Sequence, residues 1–475
     1  MNYQTKQFMT REILSQKTKA LNINLNKSIY GTIAEIGGGQ EVARAFFQAG
    51  GASGTIAKSI SAYDKIFSDA IYNKNKSGRY VSEARLDKML SKEYNELIKY
   101  LADKRADSTK FFAFANTVET INFKKTNQGQ GWIGVRFQLT HNEKPNDVVI
   151  HVRLMENDNL LQQYTLGILG INLIYACFYY WNKPNIFLQS LMDNLSRERV
   201  EINMARMSGP ELKYVDNRLL SVQLVKNGMT SVVMFDRKGI VHSPSDMLYK
   251  KNVLVFRGSF RPITYVGFDM LKTSFALFKK EVGYDKPNTV VLCEITLNNL
   301  MDEGDFDERD FLDRVDILTG MGQNVMISDY REFYKLIDYL SNFNIQKLRL
   351  LLGLPTLLKV MDEKFYINLK GGIIEAFGRL FAQNLKIYVY PSCTDKDVII
   401  NLSNIQVPEN IKFFFKYLQE CGKMLDVPNI KKPWLYITSH QVLEKIKNKD
   451  SDWETMVPKY VSKFIKNKKL FSYKD

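Results

Sequence analysis

Val253-Leu254-Val255-Phe256-Arg257-Gly258-Ser259-Phe260-Arg261-Pro262-Ile263-Thr264 runs from a short apolar segment into a turn of small residues. A helical pattern follows, from Phe268-Asp269-Met270-Leu271-Lys272 onward. A strand, a small-residue turn and a helix N-terminus make a phosphate site, because free backbone N–H groups and the helix dipole point to the same place. In that reading the N–H groups of Ser259 and Phe260 hold phosphate oxygens. Arg257 or Arg261 neutralises charge, and Thr264 donates a hydroxyl hydrogen bond. The competing reading is a turn whose Gly258 and Pro262 only shape the chain.

Working outward, the same punctuation repeats. Ser231–Phe235, Thr289–Ile295, Asn324–Ser328, Leu348–Leu352 and Leu385–Tyr390 read as short apolar strands. Helical patterns over 215–226, 269–280, 311–318, 332–340 and 373–381 separate them. That alternation predicts an α/β fold with a doubly wound, mostly parallel sheet over 206–425. Ligands in such sheets bind beyond the carboxyl ends of the strands. The turn 258–264, Ser328 to Arg331 and Pro391-Ser392 all lie at such ends. Residues 1–205 read as an α-rich region broken by glycine clusters. They carry a β-hairpin formed by Trp132–Leu139 and Val148–Leu154, which alternate apolar and polar residues. Residues 426–475 read as a basic helical extension.

The chain has 475 residues, 45% of them hydrophobic and 12% aromatic, and a formal charge of +15, so it can build more than one core and is not disordered. Its excess lysine is scattered, and no zinc finger, RNP-type or helix-turn-helix signature is present, so a nucleic-acid partner is not expected. Four cysteines, Cys177, Cys293, Cys393 and Cys421, form no CxxC pair and read as buried free thiols of a cytoplasmic protein. Met1 to Gln7 has no apolar core of a secretion signal. Leu166 to Trp181 is the most apolar segment and falls short of the ~20 residues of a membrane span, so a buried helix is expected there.

Gly258, Ser259, Phe260, Pro262 and Thr264 stand in step with the nucleotide-binding loop of nicotinate/nicotinamide-nucleotide adenylyltransferases, Gly-Ser-Phe-x-Pro followed by His or Thr. The chain resembles that family through this loop. The resemblance implies a nucleotidyltransferase-like, Rossmann-like domain that uses ATP and Mg²⁺ on a pyridine mononucleotide in NAD biosynthesis. It assigns catalysis to Thr264 and Arg261, and ligand binding to Gly258, Ser259, Phe260, Ser328 and Arg331. The family's later histidine is missing, since Tyr265-Val266-Gly267-Phe268 follows instead. Its Ser-x-x-x-Arg segment is matched only by Ser328-Asp329-Tyr330-Arg331. Gly31 to Arg44 also resembles a stretch of a bacterial family whose adenylyltransferase label comes from the later loop.

Other candidates have milder readings. Gly37-Gly38-Gly39 lies between a strand and a helix but is neither GxGxxG nor a Walker loop. It reads as close packing or a second nucleotide turn. Gly371-Gly372 precedes a helix carrying Arg379, and Asp302 to Glu308 is an acidic run without EF-hand spacing. No two of His141, His151, His242 and His440 have metal-ligand spacing, so no metal site is expected. His242 could fold back toward the 258 turn. The functional expectation is therefore a protein that binds a nucleotide or phosphorylated small molecule. The alternative is a non-catalytic scaffold that assembles into homo-oligomers.

Overall fold

A computed structural model describes residues 11–73, 78–105, 107–301, 306–382, 384–394 and 398–474. The chain divides into two compact units, Met1–Thr230 and Ser231–Asp475. The division falls at Thr230/Ser231 and not at 205/206, because Val200–Ser208 is a strand of the first unit's sheet and helix Asn217–Lys226 packs on it.

The first unit is not simply α-rich. Its strands are β1 (Ile29–Gly37), β2 (Ile56–Ala62), β3 (Lys110–Glu119), β4 (Gln130–Phe137), β5 (Asn146–Leu154) and β6 (Val200–Ser208). They form one six-stranded sheet in the order β2-β1-β3-β4-β5-β6. β1 runs parallel to β2 and β3, and β3 to β6 form an antiparallel meander. The expected hairpin is the β4–β5 pair. β3 is buried along almost its whole length because both of its faces are covered. Phe111 and Ala113 meet Tyr94 and Leu97 of helix Glu83–Arg105. The alternate residue Phe112 packs edge-to-face on Phe178, at 5.9 Å, from helix Asn159–Tyr179.

That second helix spans 21 residues, longer than the apolar segment read from the sequence, so length and composition alone would let it cross a membrane. It is instead mostly buried within the unit. Its Asn172 accepts from the Lys19 ammonium (2.7 Å), which also binds Asp193 (2.6 Å), and Arg11 takes the second Asp193 oxygen (2.5 Å). Burial lowers the Lys19 pKa, and the Asp193 carboxylate opposes that shift.

The second unit contains β7 (Val232–Phe235), β8 (Val241–His242), β9 (Asn252–Arg257), β10 (Thr289–Thr296), β11 (Asn324–Ser328), β12 (Lys347–Gly353), β13 (Leu385–Tyr390) and β16 (Met424–Asp426). A separate two-stranded ribbon joins β14 (Ser392–Cys393) to β15 (Ile399–Ile400). The eight-stranded sheet has the order β16-β13-β12-β9-β10-β11-β7-β8. β9 to β13 and β16 are parallel, while β7 and β8 form an antiparallel edge. From β9 the chain steps outward to β10 and β11, then returns to place β12 on the other side of β9.

The basic C-terminal segment is built into this unit. Tyr265 stacks on Trp434 at 4.6 Å, and its N–H donates to the Met456 carbonyl (3.0 Å). The Ser439 hydroxyl donates to the Pro262 carbonyl (2.9 Å), and the Phe471 N–H donates to Asp313 (2.7 Å). Of the four free cysteines, Cys177 and Cys293 are buried as expected, and burial pushes the Cys293 thiol up to about 12. Cys393 is half-buried and Cys421 is exposed, because both lie where the chain leaves the sheet or a helix.

Candidate functional site

The turn after β9 is shaped from within. The Gly258 N–H donates to the Glu294 carbonyl of β10 (3.0 Å), which carries the ladder one residue past the strand. Phe260 takes a left-handed backbone, φ 49°, that turns its ring down onto Phe256 at 5.2 Å. A Cβ on residue 258 would sit 3.1 Å from that ring, so glycine suits the position. The Arg261–Pro262 peptide is cis. Thr264 is buried and forms the N-cap of helix Tyr265–Phe278, but its hydroxyl bonds no helix N–H. Ser259 is exposed. Among the described residues, no group accepts a hydrogen bond from the N–H of Ser259 or of Phe260.

Arg261 reaches away from the strand. Its Nε donates to Asp310 Oδ1 (2.5 Å) in the first turn of helix Glu308–Gly320. Arg314, one turn further along that helix, binds the other Asp310 oxygen. Arg314 Nη1 also donates to the carbonyls of Asn299 (2.8 Å) and Ser259 (3.3 Å). Two guanidinium groups therefore meet at the Asp310 carboxylate, and Asp307 lies with them on one pocket. That pocket, of about 300 Å³, is lined by Ser259, Arg261, Asn299, Leu300, Asp307, Asp310, Arg314, Ser439, His440 and Leu443. The pocket thus joins the turn after β9 and the short helix Leu297–Met301 after β10 to the start of helix Ser439–Lys447. Helix N-termini and arginines favour an anion there.

The structure separates the remaining predicted residues from this pocket. Arg257 is held by Glu294 in a bidentate pair (2.8 and 2.8 Å) and lies over the Phe333 ring at 4.1 Å. It also donates to the Arg331 carbonyl (2.8 Å). Ser328 is fully buried and donates to Glu294 Oε1 (2.6 Å). Ser328 and Arg331 are thus part of the Arg257–Glu294 support and do not line the pocket. His242 sits on the edge strand β8 against Asp236 (3.2 Å), also outside it. Sequence reading missed Asn299, Asp310, Arg314, Ser439 and His440. The Asp310/Arg314 spacing of four residues on one helix was the available signal.

Gly371 closes its own helix start, donating its N–H to Glu375 (3.0 Å), and Arg379 is paired with Asp338. Asp302 to Asp305 lie outside the described residues, as does Met1 to Gln7. Asp307 caps helix Glu308–Gly320 through the N–H groups of Arg309 and Asp310. Among the described residues no group of three or more His, Cys, Asp or Glu could hold a metal ion.

The first unit has its own crevice, of about 850 Å³, at the carboxyl ends of β1 and β3. Gly37 and Gly38 form part of its wall, with Tyr63, Tyr80, Thr120 and Phe123. The glycine turn is pinned from below. Glu35 accepts from the N–H groups of Val42 (3.2 Å) and Ala43 (3.1 Å) at the start of helix Glu41–Ala49. Asn116 donates to the same carboxyl (3.2 Å) and to the Gly39 carbonyl (3.4 Å). Burial pushes the Glu35 pKa up to about 7, against the pull of these hydrogen bonds.

No family model matches the chain. No curated protein matches it either. Among solved structures it is similar to the competence/damage inducible protein CihA from Agrobacterium tumefaciens, at 12% identity and a TM-score of 0.23, over 34% of this chain and 93% of that one. A likeness at this level carries no functional argument.

Proposed function

We propose that this chain is a cytoplasmic protein that binds a nucleotide or another phosphorylated small molecule at the turn after β9. One observation carries the reading: two arginines, Arg261 and Arg314, converge at Asp310 on a pocket of about 300 Å³ beside the exposed turn. The open Ser259 N–H and the two guanidinium groups suit a phosphate. The sheet order supports the reading too. Numbered outward from β9, the six parallel strands run 3-2-1-4-5-6, the Rossmann order, with the turn following strand one.

Adenylyl transfer from ATP to a pyridine mononucleotide is the specific activity this fold and loop suggest. Ser259 and Arg261, which line the pocket, would serve the phosphate-recognition half of that chemistry. Thr264 is buried at the helix start, where its role is to begin the helix. Mg²⁺ has no protein-built seat among the described residues, since Asp310 is engaged by two arginines and Asp307 caps a helix. Calorimetry of the full chain with AMP, ATP and nicotinate mononucleotide tests the proposal. Binding that R261A weakens is expected. No heat with any of the three would overturn it. Dinucleotide formation from ATP and nicotinate mononucleotide is the separate assay for transfer.

A further inference from the structure

Resting on that reading, we propose that His440, from the C-terminal segment, is a ligand-contacting residue of the same pocket and sets its preference for a phosphate monoester. His440 lies in the first turn of helix Ser439–Lys447, 179 positions after Arg261 in the chain, and lines the pocket with it. The helix is fixed in place. Thr438 and Gln441 form a reciprocal capping box at its start, and the Ser439 hydroxyl is tied to the Pro262 carbonyl (2.9 Å) within the turn itself. The imidazole is therefore held by two anchors that flank it, while the ring itself stays 77% exposed. Its one ion-pair contact among the described residues is Glu444, 3.6 Å away and one turn along the same helix.

The chemistry follows from what stands around the pocket. Arg261 and Arg314 offer planar N–H forks, but both already serve Asp310. A phosphate monoester has three terminal oxygens, more than the open Ser259 N–H satisfies. An imidazole on the facing wall supplies a further donor that is not committed to a buried carboxylate. Leu300 and Leu443 give the pocket an apolar side for the organic part of the ligand. A small phosphate ester fits both walls, whereas free inorganic phosphate engages only the polar one.

The test uses the full chain, with AMP, nicotinate mononucleotide and inorganic phosphate as probes in calorimetry. Wild type is expected to bind at least one ester more tightly than inorganic phosphate. H440A is expected to weaken the ester by about tenfold, the scale of one charge-assisted hydrogen bond. H440N, which keeps a donor, is expected to recover part of that loss. Thermal melting should be unchanged in both variants because the ring is exposed. Imidazole signals in NMR, assigned to His440 by their loss in H440N, should shift when the ester is added. If wild type and R261A bind while H440A binds the ester as tightly as wild type and the His440 signals do not move, the inference fails. If R261A abolishes ester binding and H440A leaves it intact, the pocket reading stands and the His440 inference falls. If wild type binds no probe, both fall together.

Discussion

Replacing Glu35 with glutamine should change how the stability of the first unit depends on pH. The carboxyl is 2% exposed and sits between β1 and the start of helix Glu41–Ala49. Burial raises its pKa from 4.5 to about 7. A folded pKa above the unfolded one means that the folded unit holds the proton more tightly. Its stabilisation is then complete below about pH 4.5 and is lost as pH rises through about 7. The shift of about 2.5 units corresponds to about 3 kcal/mol at ~1.36 kcal/mol per unit. Glutamine mimics the protonated side chain at every pH. It keeps one acceptor for Val42 or Ala43 and loses the other, a fixed cost of about 1–2 kcal/mol. The difference between wild type and E35Q should therefore move by about 3 kcal/mol in favour of E35Q between pH 4.5 and pH 8. Urea unfolding across that range reads the difference, and hydrogen exchange at the Val42 and Ala43 amides localises it. Parallel stability curves for the two proteins would refute the reasoning. They would mean that the helix N–H groups hold the carboxylate well enough to cancel its burial.

Other perturbations test the same physical reading. K19M should destabilise the first unit by about 1–3 kcal/mol, because it removes the ammonium hydrogen bonds to Asp193 and Asn172 while Arg11 still pairs the carboxylate; chemical denaturation measures it. G39A should cost about 1–3 kcal/mol, since a Cβ there meets Asn116 Nδ2 at 2.6 Å in the pinned turn, and melting curves would show the loss. S328A should cost about 1 kcal/mol and leave ester binding unchanged, because Arg257 still pairs Glu294. Loss of binding in S328A, with the fold intact by circular dichroism, would return Ser328 to the pocket.

The turn after β9 was legible because its signals are local. Gly258, Pro262 and the apolar run before them dictate a strand end and a bend wherever they occur. The roles of the two neighbouring arginines were not legible. Arg257 and Arg261 are the same residue type four positions apart, and what faces each one decides its role. Arg257 stands opposite Glu294 in the β9–β10 register, whereas Arg261 meets Asp310 on a distant helix. Neither partner is known until the strands are aligned. His440 was beyond reach for the same reason, being brought to the pocket by tertiary packing alone. In the first unit, Val200–Ser208 escaped notice although Val200-Glu201-Ile202-Asn203-Met204 alternates apolar and polar residues, because its partner β5 lies on the far side of helix Asn159–Tyr179 in the chain, beyond any local signal. The hairpin of β4 and β5 was visible through its polar turn, although the sheet around it was not.

The C-terminal segment built into the second unit bears on the order in which the chain is made. The Phe471 N–H fills a place on Asp313, and Trp434 and Met456 hold the start of the helix after β9. The first unit can complete its sheet once residue 208 has left the ribosome, because β6 is its last strand. The second unit must wait much longer. Its pocket wall at Ser439, which bonds Pro262 within the turn, follows that residue by 177 positions. During synthesis that turn is exposed without the wall that completes it.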